Sequence, residues 1–363
     1  MLPPMGEHPV LFLPGPTEVD PELLAVMATP LVGHRSTRFV AVVQDVCRRL
    51  RELFLTAEPA AFETCPATAL MEAGIRNLVP RSGRSLHLVA GAFGARWQQI
   101  AAACGRTTEA LPVAAGLAHD PAALAARLQQ GPPVDAVCIT HNETATGVLE
   151  PLAELAAVVH QHAPQALVLA DVVTSLAGAE LRFDAFGLDF AFAGTQKCLA
   201  LPPGLTLYAL SARARERAAT MPERGFLFDL PLALRDTNDG KTLATPCVPL
   251  VLALQRQLER VAAETLPARW ARHLALRDQT LAWATGRGFR PFVTARAARS
   301  PTVSCVHAAG ADVAALAKRA AAAGFALDQG YGDLRGVAFR IGHMGDHDSH
   351  RLQRLLDALG NDG

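Results

Sequence analysis

The stretch of residues 167–205 constrains the fold of this chain more than any other part of it. It begins with a continuous apolar run that is typical of a buried parallel strand and that ends at Asp171. A second apolar run, residues 189–193, is followed by a short polar turn and then by Lys197. Because ligands bind beyond the carboxyl ends of the strands in an open α/β sheet, we expect Asp171 and Lys197 to meet at one edge of such a sheet.

An acid at one strand end and a lysine at the next are what pyridoxal phosphate chemistry requires. The lysine amine forms a Schiff base with the cofactor aldehyde, and the carboxylate keeps the pyridine nitrogen protonated so that the ring accepts electrons. Only Lys197, Lys241 and Lys318 occur in the chain, and arginine supplies the remaining positive charge. Since arginine cannot lose its proton to become a nucleophile, a lysine between apolar flanks favours a chemical role over a surface position.

Composition limits the classes of function. The chain has 363 residues, half of them hydrophobic, which is enough for one large domain and a smaller one. Lysine plus arginine and aspartate plus glutamate both number 34, so no net field attracts nucleic acid or an anionic membrane. We therefore expect small-molecule partners, with no nucleic acid and no membrane.

The seven cysteines are scattered, without a CxxC pair or the spacing of metal ligands. This pattern indicates reduced thiols in a cytoplasmic protein and no metal site. The first residues, MLPPMGEHPVLFLPGP, lack a basic segment and a long apolar core, so we expect neither a signal peptide nor a membrane span.

Strands and helices alternate along the first two thirds of the chain, which predicts an α/β fold. Residues 221–245 read as a loop-rich region, and a long amphipathic helix is expected from about Pro249. The final third reads as strand, helix, strand, strand, helix, which indicates a small α+β domain.

Several residues that follow the predicted strands are candidates for a ligand site. Small residues around Ala67 and Thr68 begin a helix whose free N–H groups could hold a phosphate, without the glycines of a nucleotide-triphosphate loop. Phe93 could stack on a planar ring or pack in the core. Residues 141–147 place many polar side chains at one strand end, which favours a site over a linker.

Three arginine and histidine positions could bind anions. His34 and Arg35 lie in a loop where they are either cationic donors or solvated side chains. Arg340 falls inside an apolar strand, and a buried arginine needs an anionic partner. Its fork matches a substrate carboxylate, and the alternative is a structural salt bridge.

Taken together, these segments resemble the class V aminotransferases of fold type I, close to the alanine–glyoxylate and serine–pyruvate group and its phosphoserine aminotransferase relatives. The resemblance covers almost the whole chain and depends on the order and spacing of short motifs rather than on one of them. These motifs are Pro14-Gly15-Pro16-Thr17, Gly33-His34-Arg35-Ser36, residues 67–73, Thr140-His141-Asn142-Glu143-Thr144, Asp171 with Ser175-Leu176, Thr195-Gln196-Lys197, Pro202-Pro203-Gly204 and Arg340-Ile341-Gly342.

The resemblance implies an architecture. A large domain, residues 18–248, would hold a mostly parallel seven-stranded sheet and bind the cofactor. The N-terminal segment 1–17 would join residues 249–363 in the smaller α+β domain. It also implies a homodimer whose active sites are shared between the subunits.

The resemblance also implies residue roles. Lys197 would form the Schiff base and move a proton, and Asp171 would pair with the pyridine nitrogen. Arg340, His34, Arg35 and Gly15 would bind substrate. The other cofactor contacts would be Val173 and Phe93 on the ring faces, Thr144 at the ring hydroxyl, and Ala67, Thr68, Gln196 and Thr242 at the phosphate, the last from a second subunit. In place of the glycine-rich phosphate turn of relatives, this chain has Cys65-Pro66-Ala67.

The predicted reaction is a ping-pong transfer of an amino group between a small L-amino acid, alanine or serine, and a 2-oxo acid, glyoxylate or pyruvate. The alternative is phosphoserine aminotransferase, with 2-oxoglutarate as the partner. A lyase such as a cysteine desulfurase needs a mobile cysteine, but the loop of residues 328–336 has none and Cys305 lies in a predicted strand. A non-catalytic scaffold of the same fold is the remaining alternative.

Overall fold

A computed structural model describes residues 8–360 of the chain. Its elements in the first half are β1 (Val10–Leu11), α1 (Pro21–Met27), α2 (Thr37–Phe54), β2 (Ala60–Glu63), α3 (Ala67–Leu78), β3 (Arg84–Val89), α4 (Ala92–Ala103), β4 (Thr107–Pro112), α5 (Pro121–Gln130), β5 (Ala136–Thr140), β6 (Asn142–Glu143), β7 (Val148–Leu149), α6 (Leu152–His162) and β8 (Leu167–Asp171).

The second half first continues the alternation of strands and helices, and then has two long helices followed by short strands and helices. Its elements are β9 (Phe190–Gly194), β10 (Thr206–Leu210), α7 (Ala212–Ala219), α8 (Leu230–Asn238), α9 (Val248–Glu264), α10 (Leu266–Gly286), β11 (Arg290–Pro291), β12 (Val303–His307), α11 (Val313–Ala322), β13 (Phe325–Ala326), β14 (Ala338–Gly342) and α12 (Ser349–Gly360), with short 3-10 turns at Arg296–Ala298 and Gly332–Leu334.

The large sheet has seven strands in the order β2-β10-β9-β8-β5-β3-β4. Neighbours from β9 to β4 are parallel, whereas β10 is antiparallel to both β9 and β2. The central strands β5, β8, β9 and β10 are buried throughout, as expected for apolar runs covered by helices on both faces. The expected α/β fold with a mostly parallel seven-stranded sheet is confirmed.

Beyond the large sheet lies a smaller unit. Strands β11, β12 and β14 form an antiparallel sheet, and β1 pairs in parallel with β13. One core cluster joins Phe12 near the N-terminus to side chains of α10, α11, α12, β13 and β14. The proposed small domain of residues 1–17 and 249–363 stays a proposal; residues 1–7 lie outside the described part, and α9 packs in the core of the large sheet.

Two helical expectations need correction. The region of residues 221–245 is not all loop, because it contains α8. Asp229 caps the first turn of α8, and Leu230 and Leu234 are buried. The long helix expected from Pro249 is two helices, α9 and α10. Thr265 separates them with a φ of 71°, which a helix cannot contain.

No helix within residues 8–360 is both long enough and apolar enough to cross a bilayer.

Candidate active site

A cavity of about 320 Å³ opens at the carboxyl edge of the large sheet. Strands β2, β5, β8 and β9 all end toward it, because they run in the same direction. The sheet therefore gathers residues that are far apart in sequence. Its lining includes Gly15, Ala67, Thr68, Phe93, Thr140, Thr144, Asp171, Val173, Gln196 and Lys197.

Lys197 is buried, with 7% of its surface exposed. It follows β9 in a turn that is closed by a hydrogen bond from the Ala200 N–H to the Lys197 carbonyl. Its Nζ donates to the Pro14 carbonyl and to Oγ1 of Thr144, at 3.2 Å. Loss of hydration lowers the pKa of Lys197 to about 8, and the charge of Arg340 also lowers it. An amine with this pKa is partly neutral, and therefore nucleophilic, near neutral pH.

The approach of Lys197 explains a glycine in the N-terminal segment. Gly15 has a φ of 121°, and a Cβ at this position would collide with Cε of Lys197. Only glycine combines this conformation with so close a contact.

Asp171 is the last residue of β8, at the centre of the sheet, and it is paired with Thr140, the last residue of the neighbouring strand β5. Its Oδ1 accepts a hydrogen bond from the Val173 N–H at 2.9 Å, and no donor within residues 8–360 contacts Oδ2. Burial raises the pKa of Asp171 to about 7. This carboxyl group is suited to pairing with a cationic N–H group of a ligand, which would restore its charge.

The N-terminus of α3 forms another side of the cavity. Its first residues, Ala67 and Thr68, line the cavity, and no side chain caps the helix at Pro66. Within residues 8–360, the backbone N–H groups of these two residues have no acceptor. Free N–H groups at the start of a twelve-residue helix favour the binding of an anion. Gln196 lies on the same cavity wall.

The position of Phe93 depends on a carboxylate that sequence reasoning had not singled out. Glu143 is fully buried, and its Oε2 accepts hydrogen bonds from the N–H groups of Phe93 (3.0 Å) and Gly94 (3.4 Å) at the start of α4. A Cβ on Gly91 would lie 2.6 Å from Cγ of Glu143. Glycine is thus needed for the carboxylate to reach the helix. Burial raises the pKa of Glu143, although these hydrogen bonds oppose the shift.

Arg340 lies beside the cavity. Its side chain is 6% exposed, its Nη1 donates to the Thr144 carbonyl at 2.9 Å, and it forms an ion pair with Asp328. Tyr331, from the loop after Asp328, places its ring 5.4 Å from the guanidinium carbon and 6.1 Å from the ring of Phe93. The salt bridge that was the alternative role of Arg340 is therefore present.

Three predicted residues lie apart from this cavity in a single chain. His34, Arg35 and Thr242 line a second cavity of about 690 Å³, together with Lys241. Their assignment to the site of Lys197 stays a prediction that requires a second subunit.

The comparison with known proteins identifies the family. The model of the class-V aminotransferases matches residues 75–333. An uncharacterised aminotransferase of Methanocaldococcus jannaschii is 34% identical over 345 residues, which cover 93% of this chain and 88% of the relative. The chain belongs to the class-V aminotransferases.

Other similar proteins have more specific names. The small subunit of a soluble hydrogenase from Synechococcus is 33% identical and covers 98% of this chain and 93% of that subunit. Aspartate aminotransferase of Thermus thermophilus has a TM-score of 0.89 and 32% identity, over 96% of this chain and 98% of that one. Alanine–glyoxylate aminotransferase of Nostoc has a TM-score of 0.92 and 27% identity, and the match covers 99% of this chain and 96% of that one.

Class-V aminotransferases use pyridoxal 5′-phosphate, and the donors around this cavity fit that group. The N–H groups of Ala67 and Thr68 have no acceptor within the described residues and suit its phosphate, and Oδ2 of Asp171 has no donor among the same residues. The buried Oγ1 of Thr140, on the strand end beside Asp171, also lacks a partner within residues 8–360. A polar, buried and unsatisfied set of this kind is typical of a site that is completed by a bound molecule.

Three residues near the cavity were not predicted, and they differ in how well a local pattern could have indicated them. Glu143 lies in the polar cluster of residues 141–147, which the sequence pattern indicates to be a site. Its hydrogen bonds to the first turn of α4 could not be predicted from that pattern. Thr174, whose Oγ1 lies 2.6 Å from Oγ1 of Thr144, had no local signal. Asp328 is the first polar residue of a loop, and only the backbone pairing of this loop with β14 brings it to Arg340.

Proposed function

We propose that this aminotransferase moves the amino group of a small L-amino acid, alanine or serine, to a 2-oxo acid, glyoxylate or pyruvate, by a ping-pong mechanism. The observation that carries this proposal is the convergence of Lys197, Asp171 and the N-terminus of α3 on one cavity of about 320 Å³. The similarity to alanine–glyoxylate aminotransferase of Nostoc supports small substrates.

Bound pyridoxal phosphate supplies an aldehyde for the substrate amine and a ring that accepts the electron pair left at Cα. Ala67, Thr68 and Gln196 would hold its phosphate, and Asp171 would hold its ring nitrogen. Phe93 and Val173 would pack on its ring, and Thr144 would bind its hydroxyl group. These assignments are supported by the positions of all seven side chains around the same cavity.

Lys197 carries the proton in the proposed reaction. Its amine would accept the proton that leaves Cα of the amino acid and would deliver it to the cofactor carbon that receives the amino group. A lysine with a pKa of about 8 suits both roles, because its neutral and charged forms are both populated near neutral pH. Arg340 binds the substrate carboxylate in this proposal, and Gly15 leaves room for the lysine to move.

Phosphoserine aminotransferase is the second candidate, and one observation favours it. His34, Arg35 and Lys241 line one cavity and could together bind a substrate phosphate. This requires that a homodimer bring the cavity of one subunit to Lys197 of the other. The homodimer is part of the proposal, as is a cytoplasmic location, which is supported by seven cysteines without disulfide bonds.

A desulfurase reaction has less support from the site. Cys305 is buried in β12 opposite Arg340, and burial raises the pKa of its thiol to about 12. A thiol in this state is a poor nucleophile and has no freedom to move to a substrate.

The test is the visible spectrum of the cofactor-loaded protein during separate additions of L-alanine, L-serine and O-phospho-L-serine. We expect alanine or serine to bleach the yellow absorption band, and Lys197→Ala to abolish the response. Lys318→Ala, in α11, is the matched control and should behave as the wild type. Bleaching by phosphoserine alone would replace the first candidate with the second, and an active Lys197→Ala variant would overturn the assignment of the lysine.

A further inference from the structure

Asp328 already occupies one edge of the guanidinium group that the proposed function assigns to the substrate carboxylate. Nε of Arg340 donates to Oδ1 at 2.7 Å, and Nη2 donates to Oδ2 at 3.0 Å. The backbone fixes this arrangement, because the Arg340 N–H donates to the Asp328 carbonyl at 3.0 Å. The ion pair is thus part of the pairing between the loop and β14, and it does not depend on a chance side-chain conformation.

The remaining hydrogen-bond capacity of Arg340 suits a second carboxylate. A guanidinium has five N–H donors, and the contacts with Asp328 and the Thr144 carbonyl use three of them. One N–H group is left on each terminal nitrogen. A carboxylate that approaches the end of the side chain could accept both, while Asp328 keeps the other edge.

Asp328 has two opposite effects on such a ligand. It fixes the guanidinium, which favours binding because less side-chain motion is lost. It also neutralises the charge of Arg340 and places a like charge beside the incoming carboxylate. We expect charge repulsion to be the larger effect, because the Thr144 carbonyl already restrains the guanidinium and fixing it further gains little.

We infer that Asp328 is an internal counterion that weakens the binding of substrate carboxylates to Arg340 and thereby sets the affinity for both the amino acid and the 2-oxo acid. This inference rests on the proposed function, in which Arg340 receives that carboxylate. Without Asp328, a nearly buried cation would lie uncompensated in the ligand-free enzyme and would bind carboxylates tightly. A ping-pong enzyme must release its first product through the same contact, so moderate affinity aids turnover.

The test compares wild-type enzyme with Asp328→Asn, loaded with cofactor. Asparagine keeps the size and an acceptor oxygen but removes the charge. We expect the KM for L-alanine to fall ~10-fold while kcat stays within ~3-fold of the wild type. Asp333→Asn is the matched control, because it makes the same change in an exposed part of the same loop. It should leave both constants unchanged.

A second readout does not depend on turnover. Acetate is a carboxylate probe, and its binding raises the thermal unfolding temperature of the loaded enzyme. We expect Asp328→Asn to unfold at a lower temperature than the wild type without acetate, and to gain more stability from acetate than the wild type does. In an Arg340→Gln background, Asp328→Asn should no longer change the response to acetate.

The outcomes separate the two proposals. An unchanged or higher KM in Asp328→Asn, with an unchanged or weaker acetate response, would overturn the counterion role and leave Asp328 with a structural or orienting one. An acetate effect that persists in the Arg340→Gln background would overturn it as well. If the wild type reacts with none of the amino acids while acetate still binds Asp328→Asn more tightly, the proposed function fails, and only the effect of Asp328 on carboxylate binding at Arg340 stands.

Discussion

At the scale of single residues, burial decides the chemistry of this cavity. Lys197, Asp171 and Glu143 are each less than 10% exposed, and each charge affects the pKa of the other two or of a neighbour. In water the lysine would be cationic and the two acids anionic at pH 7. Loss of hydration moves the pKa of the amine down and those of the acids up, so protons can move among groups that would otherwise hold fixed charges.

The reactivity of Lys197 in the cofactor-free protein should rise with pH with a midpoint near pH 8, because only the neutral amine reacts and its pKa is lowered to about 8 from 10.5. Reductive methylation at several pH values, followed by mass spectrometry of the Lys197 peptide, measures this. Arg340→Gln should move the midpoint upward, since the charge of Arg340 lowers this pKa. A midpoint near 10.5 in the wild type would contradict the prediction.

At the scale of elements, strand ends and helix starts build the site. The first turn of α3 offers N–H groups to the cavity, and the first turn of α4 is held by Glu143. The end of β14 contacts the N-terminal segment, whose Pro14 carbonyl accepts from Lys197. The contribution of two of these elements to the site can be tested with substitutions that leave the helix or strand itself intact.

Ala67→Pro removes one N–H group from the start of α3. Proline is tolerated at the first helical position, and Pro66 already has the extended conformation that a following proline requires. We expect a cofactor affinity that is ~10- to 100-fold lower, from the loss of one charge-assisted hydrogen bond, with little change in the unfolding temperature. Equilibrium dialysis with pyridoxal phosphate measures it. Unchanged affinity would show that this N–H group does not bind the phosphate.

Gly342→Ala tests the contact between β14 and the N-terminal segment. A Cβ at this position would overlap the Leu13 carbonyl, next to Pro14. We expect a loss of ~1–3 kcal/mol in the free energy of unfolding and a displaced Pro14 carbonyl. Gly286→Ala, at the end of α10, is the control: its Cβ would meet nothing within 4 Å, and it should stabilise the protein slightly. Chemical denaturation compares them, and equal effects would exclude the close contact.

At the scale of the whole molecule, one chain contains two separate parts of the predicted site. The Lys197 cavity holds the proposed catalytic residues Lys197 and Asp171, and the cavity of His34, Arg35 and Thr242 holds the cationic and hydroxyl groups proposed to bind substrate and phosphate. A symmetric dimer would complete two sites at once if each subunit gave the second part to its partner.

Subunit complementation tests this shared site. Lys197→Ala should inactivate the site in its own chain, and Thr242→Glu should repel the cofactor phosphate in the partner's site. Mixed and reassociated chains should recover about a quarter of wild-type activity, because half of the dimers are mixed and each has one intact site. Activity assays before and after reassociation measure the recovery. Absence of recovery, with mixed dimers demonstrated by mass spectrometry, would exclude the shared site.

Local sequence patterns were enough to predict the large sheet and the meeting of Asp171 with Lys197 at its edge. Apolar runs that end at Asp171 and just before the turn to Lys197 favour buried strands of a covered sheet, and a shared strand direction then brings their ends to one edge. The unpaired N–H groups at the start of α3 could also be predicted locally, because the first N–H groups of a helix have no partner within the helix. In contrast, the helix α8 was missed because its hydrophobic face is short and lies among turn residues.

The long-range partners of these residues could not be predicted from the sequence and are seen only in the folded chain. Glu143 reaches α4 because Gly91 leaves room for it, and Asp328 reaches Arg340 because a loop pairs with β14. Likewise, the separation of His34 and Arg35 from Lys197 follows from the packing of distant segments. The local sequence contains the spacing of apolar residues and the positions of polar ones, and these determine where strands and helices form. Contacts between segments tens to hundreds of residues apart depend on the packing of the whole chain, and no local pattern records them.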